Sequence, residues 1–310
     1  MSERFTSESI ATWRREGAVL LPSFFGVGEM QAVVRDFAKL FAKARPTTGS
    51  AVSLKRTERM EDLPRKQFEL IRSMPFACST ALNLLALHPA LIAFARVALD
   101  SPDVRLYQNI AWAKYTGATD FDQPFHMDYS NHTLLVPGDL PGEKTLNMSI
   151  YATDVANAHG AIHYVPRPEG DEICGALRPP NPDSRQQKAL RKIERPGIGP
   201  IGSIFAYSTD VYHRATNLTA ENGHRYTVFA GYKAARNSSV IGNPWPSAVP
   251  HLEGDELWNP IFGQATPEQL SCLDIPPPGH PFWTSSTLVR TQARWPSWNL
   301  GPWREALPTV

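Results

Sequence analysis

The segment QPFHMDYSNH, residues 123–132, carries His126, Asp128 and His132 close together. In an extended chain, side chains two positions apart point to the same side, so His126 and Asp128 could both reach one metal ion. An imidazole beside a carboxylate suits ferrous iron, and the usual non-haem iron site adds a second imidazole. Taken alone, a His-x-Asp pair is more often a hydrogen-bonded pair in a loop. The metal interpretation therefore predicts a second histidine, distant in the sequence, on a later strand.

His213 fits that prediction best. It lies in DVYHRATN, after the apolar stretch GSIFAYSTD, which has the composition of a strand followed by a turn. Further along, Arg225 and Thr227 alternate in RYTVFAGYKA and would share one face of the next strand. A guanidinium offers two parallel donors to a carboxylate, and a threonine hydroxyl adds a third. The pattern predicts a metal site beside a clamp for a carboxylate.

The order His-x-Asp, His, Arg resembles that of the Fe(II)/2-oxoglutarate-dependent oxygenases, and within them the phytanoyl-CoA dioxygenase family. The resemblance covers about residues 15–235, and its motifs are QPFHMD after AWAKYTG, NMSIYATDVANAHGAIHYVP, and GSIFAYSTDVYHRATN. There are two departures. The family often has Pro-Gly-Ser-His where this chain has ProArgProGlu at 166–169, outside the ligand set. The spacing from His213 to Arg225 is also one residue longer, which a loop insertion within 221–223 would absorb.

This resemblance implies an enzyme and its cofactors. His126, Asp128 and His213 would hold Fe(II), with 2-oxoglutarate as the cosubstrate and O2 taking the last open position on the metal. A small organic substrate would be hydroxylated, with release of succinate and CO2. Because related halogenases carry a small residue at the carboxylate position, Asp128 favours hydroxylation, or another hydrogen-abstraction outcome, over halogenation.

The same resemblance assigns residues around the cosubstrate. Arg225, helped by Thr227, would pair with the C5 carboxylate of 2-oxoglutarate. Lys114 and Gln108, six residues apart on one strand face, would line the cosubstrate pocket. The implied fold is a double-stranded β-helix, a jelly roll with the iron at one open end.

The elements that must position these residues follow from hydrophobic periodicity. Short alternating runs rich in β-formers, separated by Gly, Pro and Asn, predict a β-sandwich or barrel. With the resemblance, the fold class is mainly β with flanking helices, a cupin-like jelly roll. Helices are predicted at 6–16, 27–44 and 80–99. Strands are predicted at 18–25, 104–115, 145–155, 161–166, 203–208 and 225–234.

We expect one oxygenase domain over residues 1–310. It would have a helical N-terminal part at 1–103, a jelly-roll core at 104–235 and a loop-rich C-terminal wrap at 236–310. The long polar connection at 170–200 has the length of a lid or a disordered loop, and its middle, SRQQKALRKIER, could form a short helix.

Composition narrows the functional classes. The chain has 310 residues, a formal net charge of +1 and 42% hydrophobic residues, typical of a soluble globular protein without a field for nucleic acid or anionic membrane. Its three cysteines form no Cys-x-x-Cys pair, so a reducing cytoplasm is the simplest compartment. The apolar run at 81–99 is interrupted by polar residues and predicts buried helices instead of a membrane span. A small-molecule substrate is the expected partner, and a homo-oligomer is compatible with the sequence.

Two alternatives stay open. One is a cupin-like metal enzyme that does not use 2-oxoglutarate, and the other is a non-catalytic jelly-roll module. The roles of His132 and Arg178 are also open: either could contact substrate or be structural. Six tryptophans of the C-terminal segment are interpreted as anchors of that segment, or as a dimer contact: Trp245, Trp258, Trp283, Trp295, Trp298 and Trp303.

Overall fold

The computed structural model describes residues 4–43, 70–116, 122–175, 177–240, 242, 244 and 251–308, with the backbone alone for 251–255. Its strands form two antiparallel sheets, one of six strands in the order β1-β7-β4-β9-β3-β2 and one of three in the order β6-β5-β8. The strands are β1 (Ala18–Leu21), β2 (Ile71–Ser73), β3 (Val104–Tyr115), β4 (Thr145–Tyr151), β5 (Ile162–Tyr164), β6 (Arg195–Gly197), β7 (Ile204–Tyr207), β8 (His213–Ala215) and β9 (His224–Ala234). All six predicted strands are present, and the sequence patterns missed β2, β6 and β8.

The two faces of the large sheet bury different side chains. On β9, Tyr226, Val228 and Ala230 belong to the main apolar core. The intervening residues point the opposite way, and of these Phe229 joins a second cluster that includes residues from both sheets. Period-two alternation therefore sends Arg225 and Thr227 to the face between the sheets. This inner face is where polar side chains can meet a ligand without leaving the protein interior.

Helices cover the outer face of the large sheet. The first begins after the Thr6 cap, as predicted, and buries Ile10 and Trp13. The apolar run at 80–99, which was predicted to be helical, forms two short helices that pack into the main core. The stretch Thr80–Ala98 has the length and apolar character (mean hydropathy 1.6) to cross a membrane, and 61% of it is buried in the protein. Among the residues that the structure describes, the α-helices before the C-terminal segment are Ser7–Glu16, Val27–Leu40, Thr80–Leu85, Pro89–Ala98, Tyr129–His132, Arg167–Cys174 and Ser184–Leu190.

The C-terminal segment corrects one prediction. Residues 236–310 were expected to be loop-rich, but they contain the helices His251–Gln264, Pro267–Ser271, Ser285–Arg294 and Gly301–Glu305. Two of these helices have a proline in the first turn, where proline is well tolerated. Thr266 and Thr284 cap the helices that follow them. Five of the tail tryptophans pack in or against the main core, which confirms their interpretation as anchors; Trp245 lies outside the described residues.

Candidate metal and cosubstrate site

The segment that carries His126 and Asp128 is extended but is not a regular strand. A single antiparallel bridge joins His126 to His213, with both N–H···O distances at 3.0 Å. Beyond the bridge, Asp128 adopts a helical backbone and precedes the short helix Tyr129–His132. The side chains still alternate: Phe125 and Met127 are buried in an apolar cluster. His126 and Asp128 face the metal site instead.

Three side chains come together as predicted. One ligand atom each from His126, Asp128 and His213 lies within 4.8 Å of the other two. The carboxylate stands between the imidazoles, with Oδ1 3.4 Å from Nε2 of His126 and Oδ2 3.2 Å from Nε2 of His213. Two imidazoles and one carboxylate are the donor set of a facial iron site with open positions. The geometry thus fits a divalent metal held by these three residues.

Backbone carbonyls orient both imidazoles. The Nδ1 atom of His126 lies 3.0 Å from the carbonyl of Pro124, and the Nδ1 atom of His213 lies 3.0 Å from that of Val211. A carbonyl can only accept, so each Nδ1 must carry the proton. The Nε2 lone pair of each ring is then free for a metal, an arrangement common in metal sites of proteins.

The local electrostatics suit a cation. Burial alone would raise the pKa of Asp128, but the neighbouring imidazoles of His213 and His126 hold that pKa well below its ordinary value. Tyr207 donates a hydrogen bond to Oδ2 of Asp128 at 3.1 Å, and burial raises the pKa of this phenol, so it stays a donor. The carboxylate is therefore ionised and fixed in place.

The predicted cosubstrate residues form a second group on the inner face. Strand register places Lys114 opposite Arg225 and Trp112 opposite Thr227. Arg225 and Lys114 are 3% and 1% exposed. The Arg225 guanidinium lies 6.0 Å from the centre of the Trp112 ring, which belongs to the same inner cluster as Tyr207.

Arg225 and Thr227 have unused hydrogen-bonding capacity. Among the described residues, Arg225 makes one hydrogen bond, to the carbonyl of Gly160, and no ion pair. Burial lowers the pKa of Arg225 to about 10, so it remains charged at neutral pH. The Thr227 hydroxyl is buried without a partner. A buried guanidinium without an anionic partner and a buried hydroxyl without a hydrogen bond are costly unless a ligand completes them, and a carboxylate would complete both.

Gln108 is not part of this group. It pairs with Gly231 at the other end of β3, which puts it about 20 Å along the strand from Lys114 at roughly 3.3 Å per residue. That both residues line the cosubstrate pocket stays a prediction.

The sequence patterns missed a polar group at that end of β3. A register shift between Leu106 and Gln108 turns Tyr107 onto the inner face, where Gly231 leaves room for its ring. The Tyr107 hydroxyl donates to Oδ1 of Asn147 at 2.7 Å and lies 2.8 Å from Nδ1 of His132. Because the hydroxyl proton is used on Asn147, His132 must donate through Nδ1, which leaves its Nε2 an acceptor. This link depends on the β-bulge, which the sequence patterns do not show.

Arg178 belongs to a buried ion cluster. Asp210, 2% exposed, receives Lys144 and Arg167 at 2.9 Å each and Arg178 at 3.3 Å. Burial alone would raise the pKa of Asp210, but these three cations hold it below its ordinary value. Arg178 also pairs with Asp171 at 2.8 Å. Its charge is thus satisfied within the protein, which supports the structural interpretation over a substrate contact.

Comparison with known proteins identifies the family. Residues 13–222 match the family model described as Phytanoyl-CoA dioxygenase (PhyH). No curated protein sequence matches the chain significantly.

Solved structures are similar in fold. EctD from S. alaskensis, with 2-oxoglutarate and 5-hydroxyectoine, has 18% identity and a TM-score of 0.56, over 81% of this chain and 83% of that one. The epimerase SnoN, in complex with Fe3+, alpha ketoglutarate and nogalamycin RO, has 18% identity and a TM-score of 0.53, over 74% and 83%. The carbocyclase SnoK from nogalamycin biosynthesis has 18% identity and a TM-score of 0.53, over 74% and 85%. The predicted jelly-roll class is confirmed.

Proposed function

The chain belongs to the phytanoyl-CoA dioxygenase family, which makes it an iron- and 2-oxoglutarate-dependent enzyme, and from this premise we propose that it hydroxylates a small organic molecule. In this proposal His126, Asp128 and His213 hold Fe(II), and Arg225 with Thr227 binds the far carboxylate of 2-oxoglutarate. Lys114 lies beside Arg225 as a further positive charge near the cosubstrate.

The observation that carries the proposal is that two sets of side chains in the protein interior, the metal triad and the Arg225–Thr227 pair, both lack partners that a ligand could supply. The metal triad offers three ligands and leaves open positions, while Arg225 and Thr227 lack a carboxylate partner among the residues described. A dicarboxylic keto acid would complete both at once, since one end can bind the metal while the other pairs with the guanidinium. A cupin-like metal protein without 2-oxoglutarate has no need of a buried, unpaired arginine.

Each residue has a defined part. Bound iron with 2-oxoglutarate and O2 supplies the oxidising power, releasing succinate and CO2. The protein fixes the ligand set through the carbonyls at Nδ1 of His126 and His213, and keeps Asp128 ionised. The aromatic inner cluster, with Trp112 and Phe229 5.7 Å apart, excludes water from the cosubstrate side.

The substrate is proposed to approach from the end of the site that holds His132. This end of β3 and β9 lies opposite the Arg225 end, so it stays free when 2-oxoglutarate is bound. Burial lowers the pKa of His132, so its ring is neutral, and Nε2 has no partner among the residues that the structure describes. It would accept a hydrogen bond from a hydroxyl or amine of the substrate.

Consumption of 2-oxoglutarate tests the proposal. Iron-loaded protein under O2 is expected to convert 2-oxoglutarate slowly to succinate without substrate, and His126→Ala or Asp128→Ala should abolish this turnover. Iron-loaded protein that neither binds nor consumes 2-oxoglutarate would refute it. Turnover of some substrate that is indifferent to Arg225→Ala would favour the cupin-like alternative.

We also propose a cytoplasmic location, which the three free cysteines support because a reducing compartment keeps thiols unpaired. A homo-oligomer stays a prediction.

A further inference from the structure

The connection at 170–200 packs against the outside of the segment that carries His126 and Asp128. We call residues 123–129 the ligand arm. Its outward side chains Phe125 and Met127 share an apolar cluster with Leu190, Cys174 and Val165, and Leu190 ends the short helix Ser184–Leu190. The helix and the arm are therefore joined by a buried apolar contact, and one element cannot shift without disturbing the other.

One side chain of that helix takes the place of a neighbouring strand. Gln187 accepts a hydrogen bond from the backbone N–H of Phe125 at 2.8 Å and donates one to the carbonyl of the same residue at 2.8 Å. These are the two bonds that an antiparallel strand partner would exchange with Phe125. The next residue, His126, makes its own bridge to His213 on the other side of the arm.

The rest of the arm is held in the same way from both sides. The N–H of Met127 bonds to the carbonyl of Pro180 at 2.9 Å, and the N–H of Tyr129 bonds to that of Thr209 at 3.1 Å. The backbone of the arm thus binds the surrounding segments on both sides, while the side chains of His126 and Asp128 project into the metal site. Gln187 binds the arm through its side chain, so it can be removed without changing the backbone.

We propose that Gln187 is a positioning residue for the metal site and that the described part of the 170–200 segment is a fixed clamp on the ligand arm, in place of the expected lid or disordered loop. The inference rests on the proposed iron site. Gln187 touches neither metal nor substrate; it sets the orientation of Phe125 and thereby the direction of the His126 ring. Outer partners that orient metal ligands typically change metal affinity by about 10–100-fold when removed.

The probe is Co(II) alone, titrated into full-length metal-free protein and followed by its visible d–d absorption. Gln187→Ala should weaken Co(II) binding at least about tenfold and alter the band shape. Gln187→Glu retains the acceptor for the Phe125 N–H and loses the donor to the carbonyl, so it should fall between. Gln186→Ala is the matched control, because Gln186 lies on the same helix but bonds to the N–H of Asp183 at 2.9 Å instead of the arm.

A second readout needs no metal. Amide hydrogen exchange at Phe125 should be slow in the wild type and in Gln186→Ala, and markedly faster in Gln187→Ala. Equal Co(II) affinity and equal exchange in Gln187→Ala and wild type would overturn the inference, as would equal losses in both alanine variants. Wild type that binds Co(II) but never consumes 2-oxoglutarate would sink the proposed function and leave the role of Gln187 standing.

Discussion

At the scale of single residues, the Nδ1–H of each imidazole decides which nitrogen faces the site. The carbonyls of Pro124 and Val211 take the Nδ1 protons of His126 and His213, and the Asp128 carboxylate between the rings stays ionised. The same reasoning applies to His132, whose Nδ1 is tied to Tyr107. With Nδ1 of each ring tied to its partner, the three rings direct three Nε2 atoms into the site, two toward a metal and one toward a substrate.

The state of His132 can be measured directly. Because burial lowers its pKa, His132 should stay neutral to a lower pH than a free imidazole, with the proton on Nδ1. Its 15N spectrum should show a protonated Nδ1 and an unprotonated Nε2. Tyr107→Phe removes the acceptor for Nδ1–H and should produce a mixture of tautomers, with the fold intact. A wild-type spectrum with the proton on Nε2 would contradict the assigned link from Asn147 through Tyr107.

Residue types and order were enough to predict that His126, Asp128 and His213 come together and that Arg225 and Thr227 share one strand face. They were not enough for the Tyr107 link, because the register shift after Leu106 decides which face receives the tyrosine. A one-residue irregularity in a strand leaves no mark in the hydrophobic pattern, so only the structure reveals its effect.

At the scale of elements, ion pairs and short bridges join segments that are distant in the sequence. Asp210 links the start of β4, through Lys144, to Arg167 at the start of the helix Arg167–Cys174 and to Arg178 beyond it. Asp210 lies three residues before His213, so this cluster also anchors the second ligand segment. The missed strands β2, β6 and β8 have three residues each and were difficult to predict because their stability comes from pairing, not from their own composition.

Asp210→Asn should destabilise the protein by about 3–5 kcal/mol at pH 7, since it leaves three cations without their buried carboxylate. The folded-state pKa of Asp210 is below its unfolded value of about 3.9. Its stabilisation is therefore complete above that pH and is lost as the pH falls further. The gap between variant and wild type should narrow by up to about 1.4 kcal/mol per pH unit below about 3.9.

Urea unfolding at pH values between 7 and 3 measures this difference. Asp171→Asn is the control: the Asp171 side chain is 39% exposed and, among the described residues, pairs with Arg178 alone, so its loss should cost less than about 1 kcal/mol. An Asp210→Asn variant as stable as wild type at pH 7 would show that the cluster does not hold these elements together.

At the scale of the whole molecule, the C-terminal segment completes the core that supports the site. Trp298 and Trp303 lie 5.1 Å apart at ring centres, and the indole N–H of Trp303 donates to the carbonyl of Pro276 at 3.0 Å. Both rings belong to the main apolar core, which also contains the β9 side chains that face away from the site. If the protein is a single domain, as predicted, the N-terminal helices, the sheet and the C-terminal segment should unfold together.

Trp303→Ala should cost about 3–5 kcal/mol, because the ring is 1% exposed and its removal leaves a cavity. Phe282→Ala, at a ring 50% exposed, should cost far less. Denaturant unfolding followed by tryptophan fluorescence and by far-UV circular dichroism should give coincident single transitions in both variants. A separate early transition in Trp303→Ala would indicate that the tail forms an independent unit.

The central claim is that the face between the two sheets binds both ends of 2-oxoglutarate. Iron would bind the keto-acid end, and the protein would bind the far carboxylate. An anaerobic titration with Fe(II) and then 2-oxoglutarate tests it, through the visible charge-transfer band of an iron-bound keto acid. We expect a band in wild type, no band in His213→Ala, and a band in Arg225→Ala only at 2-oxoglutarate concentrations at least about tenfold higher, as for a lost charge-assisted pair. An iron-loaded wild type without a band, or an Arg225→Ala titration identical to wild type, would contradict the claim.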